Sequence, residues 1–320
     1  MTISAVSTPW VTIPTIRMDD PEAPTKLKDV CENIGFFYLE GHGLEPDEID
    51  DVFEQSRQLF ALSQAEKEAL SDKIMSRGYT NMQEETLDPA VQTEGDTKEG
   101  YYIGKEIPIT DPKYDPKKLR GPNQWPDPDI LPNFRAVMED YHNRATKIAF
   151  RLVQLLALSL GLEETYFDKD FEEPVATLRL LHYDKRQSEP EKGVYACGAH
   201  SDYGIATLLL TDECPGLQIL HNEEWIDVPP HPHSFVVNLG DMLQVWTNGK
   251  YKSTVHRVLT TSDYERYSIP FFFDPVFETV VECLPTCTDE RNPPKYSPTT
   301  AGQHLVSKYE ETHADFAPAN

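Results

Sequence analysis

Apolar positions along the chain fall into two textures. In the first half they recur every three or four residues. Ile49, Val52, Phe53, Leu59 and Phe60 predict a helix over Pro46–Ala61, and a shorter, more polar helix follows over Gln64–Ser71. Phe134, Val137, Met138, Tyr141, Ala145, Ile148, Ala149, Leu152, Leu155 and Leu156 keep the same spacing between Pro132 and Gly161, which predicts a buried backing helix. Near the start, Thr12–Ile16 reads as an edge strand that tolerates Pro14. A helix through Lys26–Asn33, stopped by Gly35, then leads into the aromatic strand Phe36–Leu39.

From Val175 the texture becomes short β-rich runs divided by turn residues. These are Val175–Tyr183, Ile205–Thr211, Leu217–Leu220, Trp225–Val228, Phe235–Leu239, Met242–Val245, His256–Thr260, Tyr267–Phe273 and Val276–Val281. Short strands at regular spacing predict a β-sandwich or barrel, and Thr300–Glu311 adds a terminal helix. Between the two textures lies Met75–Gln124, polar and weakly periodic. It carries Arg77-Gly78-Tyr79 and the run Glu99–Gly104, and reads either as a lid or substrate-contacting wall or as a plain surface excursion.

No linker divides these regions. Residues 1–125, with substrate-facing loops, and 126–320, with the backing helix, the β core and the terminal helix, are therefore expected to form one integrated unit. Composition narrows the possible partners. Lys+Arg 29 against Asp+Glu 54 gives a net charge of −25, which repels nucleic acid and anionic membrane surfaces. No apolar run reaches the roughly 18 residues needed to span a bilayer, and Met1–Trp10 lacks the basic and apolar stretches of a secretory signal. Five scattered cysteines without a C-x-x-C pair suit reduced thiols, Cys197 reading as a small buried residue. A cytoplasmic monomer acting on a small molecule is expected.

Candidate chemistry concentrates in His200-Ser201-Asp202. On an extended segment, side chains at i and i+2 leave the same face, so an imidazole and a carboxylate project together. His256, on another strand-like run, offers a third ligand. Two histidines and one carboxylate leave positions open on a metal ion, the arrangement of non-haem Fe(II) oxygenases. Arg266-Tyr267-Ser268 is a second i, i+2 pair, returned towards the metal by the turn Thr260–Asp263. A buried guanidinium is costly unless it meets an anion, and the far carboxylate of a metal-chelating dicarboxylic acid would serve. His42, between two glycines, reads as a turn residue, and His231 and His233 as part of a proline-rich surface loop.

The order His200-x-Asp202, His256, Arg266-x-Ser268 resembles the iron(II)- and 2-oxoglutarate-dependent dioxygenases, in the branch that includes isopenicillin N synthase and the soluble plant-type oxygenases. Phe36–Gly43, Gly216-Leu217-Gln218, Asn238–Asp241, Asn248-Gly249 and His256-Arg257-Val258 extend the resemblance over most of the chain. It implies a mainly β fold, a double-stranded β-helix (jelly roll) wrapped by N- and C-terminal helices. It also implies Fe(II) on His200, Asp202 and His256, and the far carboxylate of 2-oxoglutarate on Arg266 and Ser268. Tyr183 matches a strand tyrosine that contacts the cosubstrate in relatives. Leu181 and Asp184 stand where many relatives have Asn and Pro, which leaves Arg179 as a candidate helper for the metal-proximal carboxylate.

The implied reaction consumes O2, releases succinate and CO2, and oxidises an unactivated C–H bond of a small organic molecule, as in secondary metabolism, by hydroxylation, desaturation or ring closure. Arg77, Tyr79, Tyr101 and Tyr102 are the candidate substrate contacts, with Arg77 favouring a carboxylated substrate. Two alternatives stand beside this reading: an O2-dependent oxidase of the same fold that does not use 2-oxoglutarate, and a non-catalytic metal- or ligand-binding barrel.

Overall fold

The computed structural model describes residues 12–72 and 77–312, so the readings of Met1–Trp10 and of Met75 lie outside it. In chain order the elements are β1 (Thr15–Arg17), α1 (Ala23–Asn33), β2 (Phe36–Glu40), α2 (Pro46–Phe60), α3 (Gln64–Glu68), β3 (Ser71–Asp72), β4 (Arg77–Thr80), β5 (Lys98–Gly104), α4 (Phe134–Ser159) and β6 (Val175–Tyr183). They continue with β7 (Cys197–His200), β8 (Ala206–Thr211), β9 (Leu217–His221), β10 (Glu224–Asp227), β11 (Phe235–Leu239), α5 (Asp241–Trp246), β12 (His256–Val258), β13 (Arg266–Asp274), β14 (Val280–Val281), β15 (Thr299–Thr300) and α6 (Ala301–Thr312).

Two sheets carry the fold. The larger runs β1-β2-β11-β8-β13-β6-β5-β4-β3 and the smaller β10-β9-β12-β7. Except for the parallel β1–β2 pair, the ladders of both are antiparallel. The larger sheet mixes strands from the N-terminal hundred residues with those of the later β-rich half, so one sheet spans both regions. The two sheets form a jelly-roll core that stays open rather than closing into a barrel.

Helices α1–α4 pack on the larger sheet, and α5 and α6 on the β14–β15 ribbon. α4 starts and ends within two residues of its pattern and packs on α1, α2, β8 and β13. Its Phe134 meets Tyr101 edge to face at 5.7 Å. In α2, Pro46 sits in the first turn and Glu45 and Glu48 cap each other's backbone reciprocally, which fixes the helix start. No described helix is long and apolar enough to cross a membrane.

Two expected strands are corrected. Met242–Val245 belongs to α5, because three apolar residues in a run of four cannot by themselves separate strand from helix. The backbone settles it: Asp241 N–H donates to Asp202 O at 2.8 Å and Met242 N–H to Tyr203 O at 3.1 Å, folding the segment onto the chain beyond β7. Of Val276–Val281 only Val280–Val281 is extended, paired with Thr299–Thr300 in a two-stranded ribbon.

Candidate functional site

His200 and His256 face each other across the β7–β12 ladder. Their rings are 4.3 Å apart between centroids, and Phe36 on β2 braces His256 edge-on at 5.5 Å. Asp202 lies two residues past His200, and its Oδ1 is 3.8 Å from each histidine Nε2. Among the described residues these three form the one group of metal-ligating side chains whose ligand atoms lie within 4.8 Å of one another.

The surroundings orient all three. His200 Nδ1 is 2.8 Å from Gly198 O and His256 Nδ1 is 3.1 Å from Thr254 O, which commits both Nδ1 atoms to the backbone and leaves both Nε2 atoms for a ligand. Asp202 Oδ2 accepts from Asn238 Nδ2 at 2.6 Å and from the Thr207 hydroxyl, so Oδ1 alone faces the histidines. Burial opposes ionisation of Asp202, but the two imidazoles and these two donors hold its carboxyl below the ordinary range. Burial and the neighbouring His200 push His256 down to about 4. His200 is raised to about 9, because Cys197 and Asp202 outweigh its burial. A divalent ion would compete with protons for both imidazoles.

A cavity runs from this cluster to Arg266 and Ser268. Arg266 is 1% exposed, and its Nε and Nη1 have no hydrogen-bond partner among the described residues. The nearby Asp212 carboxylate is already taken by the N–H groups of Tyr267 at 2.6 Å and Cys214 at 3.0 Å. Tyr183 lies opposite Arg266 in the β13–β6 register, with its ring 5.0 Å from the guanidinium. A buried, undersatisfied guanidinium lining a cavity demands an anion. The donor set therefore fits a dicarboxylate reaching from the cluster to Arg266.

β13 lines the site with one face. Arg266, Ser268, Pro270 and Phe272 border the first cavity; Phe272 and Asp274 border a second, which shares His200 and Asp202 with the first. Alternation extends across the sheet: Thr207 and Leu209 of β8, Arg179, Leu181 and Tyr183 of β6, and Lys98 of β5 share this face.

The same alternation corrects three expected substrate contacts. Tyr102 borders the second cavity, but Tyr101 points to the opposite side of β5, where it packs on Phe134. Tyr79 is paired with Tyr101 and shares its outward face; its hydroxyl donates to Glu99 at 2.6 Å. Arg77 has the same parity and donates to Leu119 O at 2.7 Å, in a separate pocket with Lys105 and Arg120. The expectation of a carboxylated substrate therefore loses the residue that carried it. Arg179 does border both cavities, but it is bridged to Glu85 at 3.1 Å and stacked 4.3 Å from the Tyr102 ring. His42 and His233 lie together at the surface, joined by His42 Nε2 and His233 O at 2.9 Å.

Sequence reasoning passed over Thr207, Asn238, Glu85, Leu87 and Asp274. Asn238 had a readable signal, a lone polar residue in an otherwise apolar strand, and Asp274 closes the apolar run Ile269–Phe273. Glu85 and Leu87 come from an irregular loop without one.

Burial pushes the Asp274 carboxyl up to about 7. A carboxyl raised above its unfolded value stabilises the fold most at low pH and loses that contribution as pH rises through the folded value. In the metal-free protein, Asp274→Asn should therefore gain stability relative to wild type between about pH 4 and pH 7, by roughly 4 kcal/mol at most, with a constant difference above. Urea unfolding of both proteins across that range checks the sign; a difference that does not change with pH counts against it.

Comparison with known proteins agrees with this geometry. A family model described as the non-haem dioxygenase in morphine synthesis N-terminal region matches residues 13–128, and one described as the 2OG-Fe(II) oxygenase superfamily matches residues 174–275. The 2-oxoglutarate-Fe(II) type oxidoreductase hxnY of Emericella nidulans is 39% identical over 296 residues, covering 90% of this chain and 84% of its own. A full-length Neurospora crassa protein, solved in complex with alpha-KG, superposes with a TM-score of 0.83 at 30% identity over 97% of this chain and 99% of its own. JOX2, solved with 2OG, Fe and JA, gives 0.77 at 31% identity over 93% and 85%.

Proposed function

Because this chain belongs to the 2OG-Fe(II) oxygenase superfamily and is a 2-oxoglutarate-dependent oxidoreductase, we propose that His200, Asp202 and His256 hold its iron while Arg266 and Ser268 hold the far carboxylate of 2-oxoglutarate. The observation that carries this assignment is the buried Arg266 guanidinium, two of whose nitrogens lack a partner, in one cavity with the three ligands. When bound, Fe(II) and 2-oxoglutarate supply the oxidising power, coupling reduction of O2 and release of succinate and CO2 to oxidation of a C–H bond.

The chain's own residues set the stage for that chemistry. Thr207 and Asn238 keep one oxygen of Asp202 turned to the cluster, and Gly198 and Thr254 fix the two imidazoles. Tyr183 walls the dicarboxylate channel beside Arg266, and Leu181, Leu209 and Pro270 keep it apolar and short of water. The substrate, a small organic molecule, takes the second cavity, beside Tyr102, Tyr203 and Phe272. Five free cysteines suit a reducing compartment, so we place the protein in the cytoplasm, and the charge of −25 favours a monomer that avoids nucleic acid.

Succinate formation should require both Fe(II) and 2-oxoglutarate. O2 consumption by the iron-loaded protein without 2-oxoglutarate would instead point to an oxidase, and failure to bind 2-oxoglutarate at all to a non-catalytic barrel.

A further inference from the structure

Part of the wall of the second cavity comes from α6, which belongs to neither sheet of the core. The helix starts on the segment that follows β13: Gly302 N–H donates to Phe277 O at 2.8 Å and Ala301 N–H to Thr279 O at 2.9 Å. Gly302 is needed there, since a Cβ would run into the Phe277 ring. Further along, two side chains seat the helix against the chain beyond β7. His304 Nε2 lies 2.9 Å from Tyr203 O, and Lys308 Nζ lies 3.4 Å from Asp241 Oδ2. Tyr203 directly follows Asp202, and Asp241 N–H donates to Asp202 O at 2.8 Å, so α6 rests on the backbone that carries Asp202.

Leu305 lies between these two ties in sequence, is 3% exposed and borders the second cavity. Among the described residues it is the one purely hydrocarbon side chain that lines this cavity without also lining the first, whereas Leu87 and Phe272 line both. It presents only methyl groups to an occupant. A polar group set against it would give up its water with nothing in return.

We propose that Leu305 is a specificity-determining wall of the substrate pocket: it faces an apolar part of the substrate, and the volume of the side chain at position 305 sets how far that part extends. This rests on the second cavity being the substrate's, as proposed above. Because Leu305 does not border the first cavity, its size can change without altering the lining around Arg266 and Ser268. The ties at His304 and Lys308 keep the helix in place while it does.

The test uses protein loaded with Zn(II) and 2-oxoglutarate, which cannot turn over, and two pairs of probes titrated by ligand-observed NMR: benzamide with 4-butylbenzamide, and benzoate with 4-butylbenzoate. Leu305→Ala removes about three carbons from the wall and should raise the affinity of the butyl probe relative to its parent by about tenfold, in whichever pair binds. Leu305→Trp should lower the same ratio by about tenfold, and either variant decides alone if the other does not fold. Lys308→Met breaks the tie to Asp241 but leaves the wall as it is, so both members of a pair should shift together. A leucine that only stabilised the fold would weaken both probes alike and leave the ratio where it was. A ratio unmoved in the Leu305 variants, a ratio that moves as far in Lys308→Met, or no binding of any probe to any of these proteins overturns the proposal. Binding of 2-oxoglutarate in the same samples reports separately on the cosubstrate site, so the two assignments can fail independently.

Discussion

Replacing Arg266 with methionine is expected to weaken 2-oxoglutarate binding by at least about a hundredfold while raising the melting temperature of the ligand-free protein by a few degrees. The two effects have one cause. In the free protein the guanidinium is buried with two nitrogens lacking a hydrogen-bond partner, a cost that a methionine of similar length avoids. In the proposed complex the same group would donate charge-assisted hydrogen bonds to the far carboxylate, each contributing about 1.5–3 kcal/mol. Thermal melts with and without 2-oxoglutarate measure both at once: the variant should start higher and shift little on adding the ligand. A variant that melts lower, or that still shifts as wild type does, would mean that Arg266 stabilises the fold rather than anchoring the cosubstrate.

Asp202→Ala is expected to reduce iron-dependent turnover by more than about a thousandfold, beyond the 10–100-fold that removal of a supporting residue typically costs. Asn238→Ala gives the graded control, because it removes one of the two donors to Asp202 Oδ2 and should fall in that lower range. Titration with Co(II), followed by its visible absorption, separates lost metal affinity from lost chemistry. Chelation should abolish wild-type turnover and added Fe(II) restore it. Equal metal affinity in Asp202→Ala and wild type would remove Asp202 from the ligand set.

The catalytic cluster was legible in the sequence because its geometry is local. An i, i+2 pair on an extended segment shares a face whatever the rest of the chain does, and both His200-x-Asp202 and Arg266-x-Ser268 are such pairs. Tyr101 and Tyr102 show where that reasoning ends. Adjacent strand residues must point to opposite sides, but which of the two faces the site is decided by the register of β5 against β6, and that depends on residues some eighty positions apart. Arg77 and Tyr79 follow Tyr101 outward for the same reason. Glu85 lay beyond reach because its place is set by a loop rather than by periodicity. α5 was misread because a run of four residues carries too little pattern to choose a period.

The single face of β13 has a consequence for how relatives of this chain can diverge. It carries the proposed cosubstrate anchor, Arg266 and Ser268, at one end and Asp274 of the second cavity at the other, with Pro270 and Phe272 between. Inserting or deleting one residue between Ser268 and Asp274 would turn one end inside out while leaving the other in place. New specificities can therefore arise by exchanging side chains at positions 272 and 274 or by remodelling the loop that carries Glu85 and Leu87, but not by changing the length of this strand. Its reading frame is a constraint inherited with the reaction.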